Sequence, residues 1–191
     1  MKNVIILGAS GNIAKQVIDI LVKKDNIKLT LFLRNARRLR NIDGSKCRII
    51  EGDVMEYDQL KEAIAGQDIV YANLSGELES MAKNIVNAMK EKGVRNLVFI
   101  SSIGIYEIPL KPVLGPYRKA ADLIEASDLE YTILRPTWFT NVNEVDYETT
   151  RKGEPEKGSV ISQKSLATFI ARIIESPQEY VRQNLGVNKP D

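Results

Sequence analysis

Apolar residues recur along the chain in two rhythms. Short unbroken runs, such as Val4-Ile5-Ile6-Leu7 before Gly8, suit strands buried on both faces of a parallel sheet. Between the runs lie longer stretches with apolar residues on one helical face. In the first of these, Ile13, Val17, Ile18 and Leu21 fall at i, i+4, i+5 and i+8. The pattern predicts strands over Asn3–Leu7, Lys28–Leu33, Lys46–Ile50, Asp68–Ala72, Asn96–Ile100 and Tyr131–Leu134, and a short one near Val160. It predicts helices over Asn12–Val22, Tyr57–Ala65, Leu78–Lys92, Tyr117–Ala126 and Lys164–Glu175, with a short helical turn over Ala36–Asn41. Gly93 stands where a left-handed residue would end its helix. The segment Thr137–Lys157, rich in charge and turn residues, reads as irregular.

Strands alternating with helices of ten or more residues imply βαβ units and right-handed crossovers. The expected fold class is therefore α/β: a Rossmann-type, doubly wound parallel sheet with helices on both faces, in one domain spanning residues 1–191. Ligands of such sheets bind beyond the carboxyl ends of the strands, which makes 137–157 the expected substrate-side loop. Trp138, Phe139 and Tyr147 in that loop either line an apolar pocket or pack beneath it.

Gly8-Ala9-Ser10-Gly11-Asn12-Ile13-Ala14 joins the first strand to the first helix. Gly8 permits a tight turn, Gly11 lets the backbone approach a pyrophosphate, and Ala14 lets helix and strand pack closely. The N–H groups around Ser10, Asn12 and Ile13 offer donors and positive potential. A P-loop would need Lys-Ser/Thr after its second glycine, and Asn12-Ile13 stands there instead. The expected ligand is a nicotinamide dinucleotide. At the end of the second strand stand Arg34, Arg37 and Arg38, and Asp25 precedes that strand, at the wrong end of the sheet. Arginine at this place accommodates a 2′-phosphate, so NADP(H) is favoured over NAD(H).

Composition narrows the chemistry. Among 191 residues, 27 Lys and Arg face 25 Asp and Glu, a formal charge of +2, which argues against nucleic acid or an anionic membrane as the main partner. No stretch approaches the roughly 18 apolar residues of a membrane span. The N-terminal apolar run is cut short by the glycine turn, so no secretory leader is expected. With the single Cys47, a reducing, cytoplasmic setting is the expectation. The absence of histidine excludes Ser-His-Asp and Cys-His catalysis and His/Cys zinc sites within this chain, and no metal is expected.

With these residues in view, the chain resembles the atypical short-chain dehydrogenase/reductases, the NAD(P)H-binding proteins near the NmrA-like group. The matching segments are GASGNIA (8–14), LRNARRL (33–39), EGDV (51–54), ANLSG (72–76), FISSIGIY (99–106) and SDLEYTILRP (127–136). The resemblance implies that Asp53 and Val54 flank the adenine, and that Asn73, Leu74 and Gly76 line the cofactor's middle. It places Ser101 and Ser102 near the nicotinamide, with Pro136 and Thr137 closing its far side. Arg135 is assigned no chemistry and is free to pair with an acidic neighbour.

The chain departs from the wider family in one respect. Ordinary members follow a Ser with a Tyr and a Lys four residues later, so that the ammonium lowers the phenol's pKa. Ser102 and Tyr117 are the candidate catalytic pair here, but position 121 is alanine and Lys119 lies off the helix face of Tyr117. Tyr106, with Lys111 five residues later, is an alternative. Two functions follow: an NADPH-dependent reductase of a small molecule, or a non-catalytic NADP(H) sensor that regulates a partner protein. A homodimer and a regulatory partner both stay open at this level. A nucleotide-sugar epimerase ranks behind both, since those enzymes keep the Tyr-Lys pair.

Overall fold

The apolar runs lie side by side at the centre of the molecule. The computed structural model describes residues 1–39 and 46–190. In it the strands are β1 (Lys2–Leu7), β2 (Ile27–Leu33), β3 (Cys47–Glu51), β4 (Ile69–Ala72), β5 (Asn96–Ile100), β6 (Glu130–Pro136), β7 (Trp138–Thr140), β8 (Glu148–Arg151), β9 (Val160–Ser162) and β10 (Gln183–Asn188). The helices are α1 (Asn12–Leu21), α2 (Tyr57–Ile64), α3 (Leu78–Lys92), α4 (Gly115–Glu125) and α5 (Gln163–Glu175). Eight strands form one sheet in the order β3-β2-β1-β4-β5-β6-β10-β8. The chain winds outward from β1 to β3 and returns to β4 beside β1. That reversal opens a crevice beyond the carboxyl ends of β1 and β4.

Alternate residues of β1 serve opposite faces, which explains why its apolar run is unbroken. Val4 and Ile6 join Val17, Leu21, Ile170 and Ile174 in one core, beneath α1 and α5. Ile5 and Leu7 join Leu60, Ile85, Met89 and Ile124 in another, beneath α2, α3 and α4. α3 ends at Gly93 in the left-handed region, with φ 70°.

Three expectations change. The helical turn after β2 is a single 3₁₀ turn, Ala36–Arg38, and positions 40 and 41 of the expected turn lie outside the described residues. The segment 137–157 contains β7 and β8. β7 pairs with β9 in a separate two-stranded sheet, and β8 runs antiparallel to β10, so the main sheet is not wholly parallel. An edge strand reading Glu-Thr-Thr-Arg buries only Thr150, so no apolar run marks it. β10 falls where no element was expected. The side-chain amides of its buried Asn184 and Asn188 donate to distant side chains, among them Tyr106, Glu125 and Glu148, and these polar positions hide the strand from any pattern of hydrophobicity.

Candidate functional site

The crevice at the β1–β4 reversal is built from backbone first. Gly8 has φ 78°. The Gly8 N–H donates to the Phe32 carbonyl, and the Gly11 N–H donates to the Gly8 carbonyl, both at 3.0 Å. A Cβ on Gly8 would strike the Asn73 carbonyl, and one on Gly11 the Asn73 side-chain amide. Gly8 is thus required by the Asn73 backbone, and a side chain at Gly11 would have to push aside the Asn73 amide, which leans from the end of β4 into the turn. α1 begins at Asn12 with Gly11 as its N-cap and no capping side chain, so its first N–H groups are left for a ligand. Ile13 contributes only backbone, because its side chain belongs to the core.

The cleft holds about 260 Å³ and brings together Gly8, Ser10, Gly11, Arg34, Asp53, Val54, Asn73 and Leu74 from the expected set. Arg38 lines it too, and the structure adds Phe32, Leu33, Asn35, Gly52, Ser75 and Met81. Gly52 is there because a Cβ would collide with the Phe32 ring. Arg38, not Arg37, lines the cleft. A 3₁₀ turn eclipses residues three apart, so Arg38 falls on the same side as Asn35, whose Oδ1 accepts the Arg37 N–H at 3.0 Å. Arg34 and Arg38 are exposed, and no carboxylate among the described residues pairs with either. Asp53 lines the cleft and also holds its own turn, its Oδ1 accepting the Met55 N–H at 2.9 Å. Gly76 turns the chain with φ 105°, outside the lining.

Toward the ends of β5 and β6, Ser101 is buried and its Oγ has no partner. Ser102 Oγ donates to the Ile103 carbonyl at 3.1 Å. Pro136 closes β6, and the Thr137 N–H and hydroxyl both donate to the Val187 carbonyl, at 3.1 and 3.4 Å.

A family described as NAD(P)H-binding matches residues 8–177, nearly the whole chain. The chain belongs to the NAD(P)H-binding family. A Rossmann-fold NAD(P)-binding family protein from Shigella flexneri is 48% identical, covers 100% of this chain and 94% of its own, and superposes with a TM-score of 0.93. A short-chain dehydrogenase/reductase from Veillonella parvula, solved in complex with NADP, is 26% identical over 99% of this chain and 95% of its own, with a TM-score of 0.90. An isoflavone reductase homologue of Nicotiana glauca is 23% identical over 92% of this chain and 64% of its own length, so the chain spans less than two thirds of that relative. The resemblance to atypical short-chain dehydrogenase/reductases is borne out, and with it a reductase-like, NAD(P)H-binding family. No described helix is long and apolar enough to cross a membrane.

The cleft fits the family's dinucleotide. A glycine-bounded turn meets an uncapped helix end, and Arg34 and Arg38, without a carboxylate partner among the described residues, line the same cleft. The wider family's Tyr-Lys pair is not assembled on α4. Tyr117 packs against the apolar core beneath α2, α3 and α4, no hydrogen bond joins it to Ser102, Lys119 pairs with Glu79 at 3.0 Å, and Ala121 is buried. Tyr106 does not meet Lys111 either, which turns to Glu107 at 3.9 Å. Its ring is surrounded instead by Arg118, Arg135 and Lys152, at 4.6, 5.2 and 4.6 Å from the centroid. The Asn184 amide donates to its hydroxyl at 2.7 Å. Burial, and then Glu125, push the Tyr106 phenol above its ordinary pKa, so it is held protonated rather than activated. Arg135 is 1% exposed and pairs with Glu156 at 3.0 Å, the acidic neighbour left open by the sequence. Nothing in local sequence links residues so far apart.

Proposed function

We infer that the chain binds NADPH in preference to NADH in the β1–β4 cleft and reduces a small-molecule acceptor. The observation that carries this reading is the pair Arg34 and Arg38, lining the cleft at the end of β2 with no anion among the described residues. A 2′-phosphate is the group such an arrangement recognises, and the NADP-bound relative from Veillonella parvula supports it. In this reading the pyrophosphate lies on the Gly8–Ile13 turn and the adenine between Asp53 and Val54. Asn73 and Leu74 face the middle of the cofactor, with Gly76 shaping the turn beside them. Ser101, Ser102, Pro136 and Thr137 surround the nicotinamide. NADPH, when bound, supplies the hydride.

This chain's residues then have three tasks: to fix the acceptor, exclude water and deliver a proton. Ser102, bonded only to its neighbour's carbonyl, is the hydroxyl best able to turn toward an acceptor. Tyr117, packed against the apolar core, makes no hydrogen bond to it. The test is NADPH oxidation by purified protein against carbonyls, quinones and flavins. Turnover that Ser102→Ala slows about tenfold or more supports the reading. Tight NADPH binding without turnover anywhere on the panel contradicts its enzymatic part.

A second reading, a non-catalytic NADP(H) sensor of the NmrA-like kind, is favoured by Ala121 and by the engagement of Lys119 with Glu79. It requires a partner whose capture depends on the nucleotide. Equal recovery of that partner with and without NADPH would contradict it.

A further inference from the structure

Four residues form a row across the sheet. Ile100 pairs with Leu134, so Ser101 stands beside Arg135, Arg135 pairs with Gly186, and Gly186 pairs with Thr150. All four side-chain positions face the α4 side, because Ile133, two residues before Arg135, belongs to the core on that side. Ser101, Arg135 and Thr150 are more than nine-tenths buried, yet Ser101 Oγ, Arg135 Nε and Nη2, and Thr150 Oγ1 have no partner. Gly186 leaves the middle of the row bare, and a Cβ there would strike Thr150 Oγ1 and stand 3.5 Å from Arg135 Nη2.

The carboxylate in contact with Arg135 comes from outside the sheet. Glu156 belongs to the loop between β8 and β9, whose residues Gly153, Glu154, Pro155 and Lys157 are exposed. One of its carboxylate oxygens meets Arg135 Nη1 at 3.0 Å, and the other accepts the Gly104 N–H at 2.8 Å. The contact at Nη1 is an ion pair without a hydrogen bond, that carboxylate oxygen being itself unpartnered, and it leaves unused the Nε–Nη2 edge, which binds carboxylates in bidentate fashion. A permanent strut between loop and sheet would be expected to engage that edge, because buried unmade hydrogen bonds are costly. Beside the pair is a cavity of about 500 Å³, lined by Tyr106, Glu107, Arg135 and loop residues 153–156.

We propose that Arg135 and the Gly104 N–H form a carboxylate subsite, and that Glu156 is an internal stand-in which a small organic acid displaces. The subsite lies at the ends of β5 and β6. Calling its ligand the acceptor substrate rests on the reductase reading, whereas binding of the acid does not. Displacement exchanges one carboxylate for another, lifts the 152–158 loop, and frees the guanidinium to use its fork.

The probe is benzoate, with benzamide as the uncharged control, titrated calorimetrically into the full chain. Glu156→Gln is expected to bind benzoate about tenfold tighter than the unmodified chain. Benzamide should bind neither protein, and adding Arg135→Lys to Glu156→Gln should remove the gain. In the unmodified chain, benzoate should speed tryptic cleavage after Lys152 and Lys157. Benzoate binding to Glu156→Gln no tighter than to the unmodified chain would overturn the proposal. If Glu156→Gln does not fold, the digestion decides: faster cleavage supports the subsite, and unchanged cleavage overturns it. NADPH titrated into the same samples keeps the readings apart, since its failure would strike the cofactor assignment and leave the benzoate result standing.

Discussion

At the β1–β4 reversal the sheet offers a ligand bare glycines, an uncapped helix and two cations without a carboxylate partner among the described residues. At the β6–β10–β8 edge it gathers guanidinium, ammonium, phenol and carboxylate groups against one another, around the buried Arg135. The first region is made by what is left out, side chains at Gly8 and Gly11. The second is made by long side chains meeting across the fold, as in Arg135 with Glu156 and Lys152 with Glu125. Glycine geometry is local in sequence and fails when an atom is added. A buried polar network is long-range and fails when one partner is removed.

The largest expected effect comes from adding an atom. Gly8→Ala sets a Cβ against the Asn73 backbone at φ 78°, and strain and overpacking together should cost about 4 kcal/mol in urea denaturation while abolishing dinucleotide binding. A loss below about 1 kcal/mol would show that the turn yields more easily than its packing implies. Next comes removal of a partner. Glu156→Ala leaves Arg135 buried without its anion and should cost about 3 kcal/mol. An unchanged midpoint would mean that water already reaches the guanidinium.

Tyr71 sharpens the contrast, because it is a polar orphan within the otherwise apolar half. Its side chain is fully buried and its hydroxyl has no partner. Tyr71→Phe should therefore stabilise the protein by about 1 kcal/mol, and destabilisation would reveal a hidden partner. The smallest effect is a pH dependence at the polar edge. The Tyr106 pKa is raised in the fold, so the unfolded chain loses this proton first. Stability linked to Tyr106 is complete below the ordinary tyrosine pKa and is lost as pH rises through the raised value. Tyr106→Phe should flatten that alkaline decline, and an equally steep decline would assign it to other groups.

The contrast also explains what could be read in advance. β1, β2, β4, β5 and the helices announce themselves because both sheet faces are covered and each apolar run is local. The cleft was legible for the same reason: its glycines sit in one loop, and Arg34 follows directly on β2. Of Arg37 and Arg38, both named from the sequence, only Arg38 lines the cleft because the turn is 3₁₀, a distinction of a fraction of a helical turn that composition does not carry. β8 stayed hidden because Thr150 is all it buries, and β10 because its two buried apolar residues, Leu185 and Val187, are set among Asn184, Gly186 and Asn188, whose asparagine partners lie tens of residues away. Tyr106 was found as a tyrosine with a lysine nearby in sequence, but the lysine it meets, Lys152, arrives from β8's far end.

The central claim is the cofactor cleft, and the most direct measurement is calorimetric titration of NADPH and NADH into the unmodified chain and Arg34→Ala. The account predicts that NADPH binds about tenfold or more tighter than NADH, and that Arg34→Ala removes the difference by weakening NADPH alone. Equal affinities that Arg34→Ala leaves unchanged would contradict the 2′-phosphate assignment, and no binding of either nucleotide would contradict the cleft itself.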